Sequence, residues 1–189
     1  MTTIITTTGN NFATLTADQG ITSDLIHPDM PKIIVQDTWL IGVAGNARVC
    51  DQLQYMVRYP KPPPELLGQH YNDWFAWVVT KVIPAIDSTL KSTDMEANAL
   101  LVTHGKAFLI DESLSVLSAQ PYWAIGSGAF LAIGALANKQ YEPDWNKNHD
   151  LSALSGMQAA SMHDLSTRGP VDQYKSLASG KIIERTNGI

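Results

Sequence analysis

The order in which strand-like and helix-like periodicities follow one another constrains this chain more than any other feature. Stretches with two-residue alternation or β-branched content come in groups, and stretches with helical spacing come in pairs between them. Met1-Thr2-Thr3-Ile4-Ile5-Thr6-Thr7-Thr8 is β-branched, Gly9-Asn10-Asn11 supplies turn chemistry, and Phe12 to Ala17 alternates again, which predicts a hairpin at the start. Lys32-Ile33-Ile34-Val35 and Thr38 to Ala44 read as paired strands around Gln36-Asp37. Asn46 can cap a helix running to about Tyr59, and Pro60-Lys61-Pro62-Pro63-Pro64 reads as an extended connection. Trp74, Trp77, Val78, Val82 and Ile86 share one face of a helix over 71–90, where Pro84 predicts a kink. Ala99 to Thr103, His104-Gly105 and Lys106 to Ile110 form a clear hairpin signal. Short strands at 114–117 and 122–125, helices at 129–139 and 151–163, and a last hairpin over 172–177 and 181–186 complete the order. Strands and helices in segregated runs predict α+β layers instead of a parallel βαβ sheet, with 1–189 as one domain.

Composition narrows the function classes. Thirteen Lys and Arg stand against 18 Asp and Glu, a formal charge of −5, so no basic surplus exists to displace counterions from nucleic acid. At 44% hydrophobic and 16% charged the chain can bury a substantial core. Cys50 is the single cysteine and cannot form an internal disulfide. The start has no basic and apolar regions of a signal peptide, so the expected location is the cytoplasm. Leu114 to Asn138 carries no charge, but Pro121 and the Gly126-Ser127-Gly128 break argue for a buried strand, turn and helix, not a membrane span. His27, His70, His104, His149 and His163 show no metal-ligand spacing, and no metal or cofactor is expected.

Six local patterns then stand in order: Thr2-Thr3-Ile4; Thr16-Ala17-Asp18-Gln19-Gly20-Ile21-Thr22; Lys32 opening a strand; Gly42-Val43-Ala44-Gly45-Asn46-Ala47; Ala124-Ile125-Gly126-Ser127-Gly128; and Asp164-Leu165-Ser166-Thr167. Each alone has an ordinary explanation as a strand start, a turn former, a solvated lysine or a helix N-terminus. Together, from Thr2 to roughly Gly169, they resemble the proteasome β-subunit and bacterial HslV peptidase family, the threonine branch of the N-terminal nucleophile (Ntn) hydrolases.

The resemblance implies a four-layer αββα sandwich, two antiparallel sheets between helical layers. It implies Thr2 as nucleophile once Met1 is removed, with the freed α-amine as base. A hydroxyl needs such a base, and an α-amine has a pKa of about 7.7–8.0. In the same way Lys32 becomes the nearby ammonium, Asp18 the group that holds it and keeps it charged, and Gly45 the backbone donor to an oxyanion. Ser127 and Asp164 become the pair that orients the terminal amine. Where the family usually has a serine three residues after the aspartate, Thr167 stands here with Ser166 beside it, and either hydroxyl fits. Thr22, Gly45 and Ala47 correspond to main-chain contacts for an extended peptide, and Val43 to a specificity-pocket lining that favours an apolar side chain. The implied partners are a peptide or unfolded-protein substrate, further copies in a homo-oligomeric ring and an AAA+ unfoldase. Two other readings are a non-catalytic subunit of a proteasome-like shell and an Ntn amidase acting on a small molecule.

Overall fold

A computed structural model describes residues 2–20, 31–91, 95–142, 145 and 149–187. Two five-stranded antiparallel sheets lie face to face. The first has the order β10 (Ile182–Asn187), β9 (Val171–Leu177), β2 (Phe12–Asp18), β1 (Thr3–Thr8), β8 (Tyr122–Gly126). The second runs β3 (Ile33–Gln36), β4 (Trp39–Gly45), β5 (Ala97–Thr103), β6 (Lys106–Ile110), β7 (Val116–Ser118). Helices α1 (Ala47–Asp51), α2 (Tyr71–Trp77) and α3 (Ile83–Leu90) cover the second sheet, and α4 (Ala129–Lys139) and α5 (His149–His163) cover the first. This is the four-layer αββα sandwich that the sequence led us to expect. No helix among the described residues is long and apolar enough to cross a membrane.

Alternation decides which residues fill which layer. On β1, Ile4 enters the inter-sheet core with Leu15, Leu40, Leu100 and Val102, while Ile5 turns outward to Ala132, Leu136 and Met157 under α4 and α5. A third cluster, with Trp39, Leu53, Trp74, Val78, Ile86 and Phe108, joins the second sheet to α1–α3. Because β1 is buried on both faces, its threonines cannot turn to water. Thr6 Oγ1 donates to Thr14 O at 2.7 Å, and Thr7 Oγ1 donates to His149 O at 2.9 Å.

The hairpin turn at His104-Gly105 has positive φ at both positions, 46° and 72°, as a two-residue turn between twisted strands requires. Three expected elements differ in detail. The helix capped by Asn46, whose Oδ1 accepts from Arg48 N at 3.0 Å, widens into a π-helical turn over Gln52–Met56 and stops there, short of Tyr59. Beyond it Gln36 holds the chain extended: its Nε2 donates to Val57 O at 3.1 Å and its Oε1 accepts from Tyr59 N at 2.9 Å. The helix expected over 71–90 relaxes through a π-helical turn at Val78–Val82 ahead of Pro84, which has no N–H to give the carbonyl four residues back. The strand expected at 114–117 begins at Val116, because Asp111 Oδ1 accepts from Ser113 N and Ser115 N, both at 2.9 Å, and closes a turn around Leu114.

Gln36→Leu removes both bonds to the Val57–Tyr59 segment while keeping volume. It should cost about 1–3 kcal/mol, read as a lower urea midpoint with an unchanged slope.

Candidate active site

The site begins at the register of β1. Ile4 pairs with Ala17 on one side and with Ile125 on the other, so the residues just before it lie between the end of β2 and the end of β8. Asp18 closes β2 there and is 1% exposed. Its Oδ1 accepts from Thr3 N at 2.7 Å and from Thr2 Oγ1 at 3.1 Å. Its Oδ2 accepts from Lys32 Nζ at 2.8 Å, Gly20 N at 3.2 Å and Arg168 N at 3.4 Å. Lys32 precedes β3 in the other sheet, and Gln54 Nε2 holds its carbonyl at 3.0 Å. The Asp18–Lys32 ion pair therefore bridges the two sheets beside the Thr2 hydroxyl. Burial lowers the Lys32 pKa from 10.5, although the charge and hydrogen bond of Asp18 work in the opposite direction. An ammonium held this way is a charge with a softened hold on its proton.

On the other side stands the Gly126-Ser127-Gly128 turn. Gly126 has φ +96°, and a Cβ there would fall 1.8 Å from Thr2 O, so no other residue fits. That close approach lets Ser127 N donate to Thr2 O at 2.9 Å. Ser127 Oγ donates to Asp164 Oδ2 at 2.6 Å. Asp164 also accepts from Thr167 Oγ1 at 2.8 Å and from Ser166 N at 3.0 Å. Partial desolvation raises the Asp164 pKa, but the hydrogen bonds from Ser127, Ser166 and Thr167 outweigh it and hold the carboxyl below its ordinary 3.8.

Gly45 ends β4 with φ +152°, where a Cβ would lie 2.4 Å from Glu96 O. Register carries it toward the same end of the sandwich. Ile33 pairs with Gly42, so Lys32 lies beside the stretch of β4 that leads to Gly45. Gly45, Asn46 and Ala47 are exposed, forming an edge that an extended ligand can reach. Val43 is 4% exposed and packs into the cluster under α1, with little of its surface open. Thr22 lies outside the described residues. Thr2, Asp18, Lys32, Ser127, Asp164 and Thr167 are thus drawn into one linked set, with Gly45 and Ala47 on the neighbouring edge.

Several participants escaped the sequence reading, Gly20 and Gln54 among them. Arg168 reaches Asp18 through its backbone, which no side-chain pattern signals. Thr3 touches Asp18 through its N–H, and its position directly after Thr2 was the available clue. A cavity of about 270 Å³ borders Asp18 and Thr167 on the α5 side, with Ser161 and Arg168 in its wall. Among the described residues no group of three or more His, Cys, Asp or Glu side chains could hold a metal ion.

No family model and no curated sequence matches the chain, so likeness to known proteins rests on structure. The structure is similar to Thiobacillus denitrificans BPH in complex with epoxomicin, with TM-score 0.71, 16% identity and 93% and 98% of the two chains covered. It is equally similar to Thiobacillus denitrificans BPH alone (0.71, 16%, 95% and 100%), and it resembles eukaryotic HslV from Trypanosoma brucei (0.68, 17%, 93% and 99%). The αββα sandwich is shared with these proteins over nearly their whole length.

Lys32→Met leaves the buried Asp18 carboxylate without its cation and should lower stability by on the order of 3 kcal/mol, measured by chemical denaturation. Asp164 gives a pH test. Its folded-state pKa is depressed, so its contribution is present above 3.8 and is lost as pH falls through the lower folded value. The stability advantage of wild type over Asp164→Asn should therefore shrink as denaturation is repeated from neutral into acid solution.

Proposed function

We propose that this chain is a threonine-type endopeptidase of the proteasome β-subunit and HslV kind, with residues 1–189 as one domain and Thr2 as nucleophile after Met1 is removed. The observation that carries the reading is the convergence on Thr2: its hydroxyl meets Asp18, Asp18 is paired with Lys32, and its carbonyl meets Ser127, which is bonded to Asp164. A strand start with no catalytic purpose has no need of a buried ion pair on one side and a serine–aspartate pair on the other.

In the proposed reaction Thr2 Oγ1 attacks the scissile carbonyl carbon and its proton passes to the α-amine. The Lys32 ammonium favours the alkoxide character of Oγ1 and disfavours a second positive charge on the amine. Gly45 N–H receives the oxyanion, a place where preorganised donors act most strongly. Collapse breaks the C–N bond. The leaving nitrogen takes the proton from the α-ammonium of Thr2, and an ester remains on Thr2. Water then attacks that ester with the amine again as base, releasing a carboxylic acid and restoring Oγ1–H. Ser127 and Asp164 orient the amine, and Thr167, whose hydroxyl reaches the Asp164 carboxylate, takes the supporting place three residues on.

The substrate is an extended peptide or unfolded protein laid along Thr22, Gly45 and Ala47, with an apolar side chain directed toward Val43. Large apolar side chains stand exposed around α4 and α5, Phe130 at 89% and Leu165 at 82% among them. Their burial against further copies in a homo-oligomeric ring is part of this reading, as are an AAA+ unfoldase partner and a cytoplasmic location.

The test is made on purified full-length chain. Intact mass should show loss of one methionine, and wild type should release fluorophore from peptides with an apolar residue before the cleaved bond. Thr2→Ala should abolish release by a factor of at least about 10³ with an unchanged unfolding midpoint. Epoxomicin, bound in the similar BPH structure, should block wild-type hydrolysis. Undiminished activity in Thr2→Ala would overturn the assignment.

A further inference from the structure

The turn that carries Ser127 and the segment that carries Asp164 meet at a hydroxyl that has no role in the mechanism above. Thr3 Oγ1 accepts the Gly128 N–H at 3.0 Å and lies 2.6 Å from Thr167 Oγ1, which lies 2.8 Å from Asp164 Oδ2. Proton counting sets the direction of every bond. A carboxylate only accepts, so Thr167 directs its single proton to Asp164. Thr167 Oγ1 must then accept from Thr3, and Thr3, its proton so used, accepts from Gly128. The order is Gly128 N–H to Thr3, Thr3 to Thr167, Thr167 to Asp164. Thr3 is 0% and Thr167 1% exposed and Gly128 is buried, so solvent does not replace a missing member. A Cβ on Gly128 would stand 2.5 Å from Thr3 Oγ1 and 2.9 Å from Thr167 Oγ1, which explains the second glycine of the turn.

We propose that the Thr3 hydroxyl is a positioning residue for the Thr2 site, a tether that ties the Ser127 turn to the Asp164 carboxylate through Thr167. The inference rests on the reading of Thr2 as nucleophile. Strand propensity does not demand a hydroxyl here, since valine suits a buried strand equally well. Alternation along β1 sends neighbouring side chains to opposite faces. Thr2 thus serves the cleft while Thr3 secures the scaffold behind it.

The experiment compares Thr3→Val, Thr3→Ser, Thr167→Val, the double variant Thr3→Val/Thr167→Val, and Thr6→Val. The last removes an equally buried hydroxyl from the same strand, one that bonds only Thr14 O among the contacts above. Thr3→Val should lower kcat by about 10- to 100-fold with KM little changed, Thr3→Ser should restore it, and Thr6→Val should keep it. The double variant should lose no more kcat than the worse single one, as members of one chain do. Wild-type kcat in Thr3→Val, no rescue by serine, or equal losses in Thr3→Val and Thr6→Val would overturn the proposal. If Thr3→Val does not fold, Thr3→Cys, which keeps a weak donor of similar size, should give an intermediate kcat, and a wild-type value there would count against the tether. Failure of the peptidase reading shows itself differently, as wild type and Thr2→Ala being indistinguishable. The tether is then decided by amide exchange at Gly128: fast in Thr3→Val but protected in Thr3→Ser and Thr6→Val supports it, and equal protection in all three overturns it.

Discussion

The Asp18–Lys32 ion pair is the constraint around which this structure is organised. Asp18 ends β2 in one sheet and Lys32 precedes β3 in the other, so the pair is a charged link between layers otherwise held by apolar contacts. A carboxylate so deeply buried is tolerable only when its lone pairs are occupied. The chain meets that demand with Thr3 N, Gly20 N, Arg168 N and the Thr2 hydroxyl. Electrostatic satisfaction of one aspartate thereby places the first residues of β1.

The opposite wall depends on shape. Gly126 lets backbone come against Thr2 O, and Gly128 leaves space for the hydroxyls of Thr3 and Thr167. Charge on one side and close approach on the other restrict the strand start from two directions. Threonine suits this place because it combines β-branched packing with a hydroxyl that can be satisfied internally. Thr6 and Thr7 use the same property further along β1, where both faces are covered.

Much of this was legible in the sequence. Alternation, turn residues and helical spacing located the hairpins that end at Ala17 and span 99–110, and the starts of the helices capped by Asn46 or beginning at Tyr71 and Ala129, to within one or two residues of where they lie, since all of them rest on contacts between chain neighbours. The candidate residues Thr2, Asp18, Lys32, Ser127, Asp164 and Thr167 came from an ordered resemblance, and the fold draws them together. What stayed hidden was of another kind. The widened helical turns at Gln52–Met56 and Val78–Val82 answer to packing and to Pro84, and the end of the first helix answers to the Gln36 side chain from a different element. Between Ser166 and Thr167, spacing left two equal choices. Both hydroxyls reach Asp164, and tertiary contact makes Thr167 the one that also meets Thr3, while Ser166 adds a backbone N–H to Asp164.

By itself the sequence determined the elements and their segregated order, because hydrophobic periodicity and turn chemistry act over a few residues. Only the tertiary structure decided that β8 pairs with β1 and that β2 lies between β1 and β9, since such pairings join segments more than a hundred residues apart. It alone decided that Thr3, outwardly one more β-branched residue in a threonine-rich start, has its hydroxyl between Gly128 and Thr167. A hydroxyl's partners are set by what the fold brings within about 3 Å, and no local pattern encodes that distance.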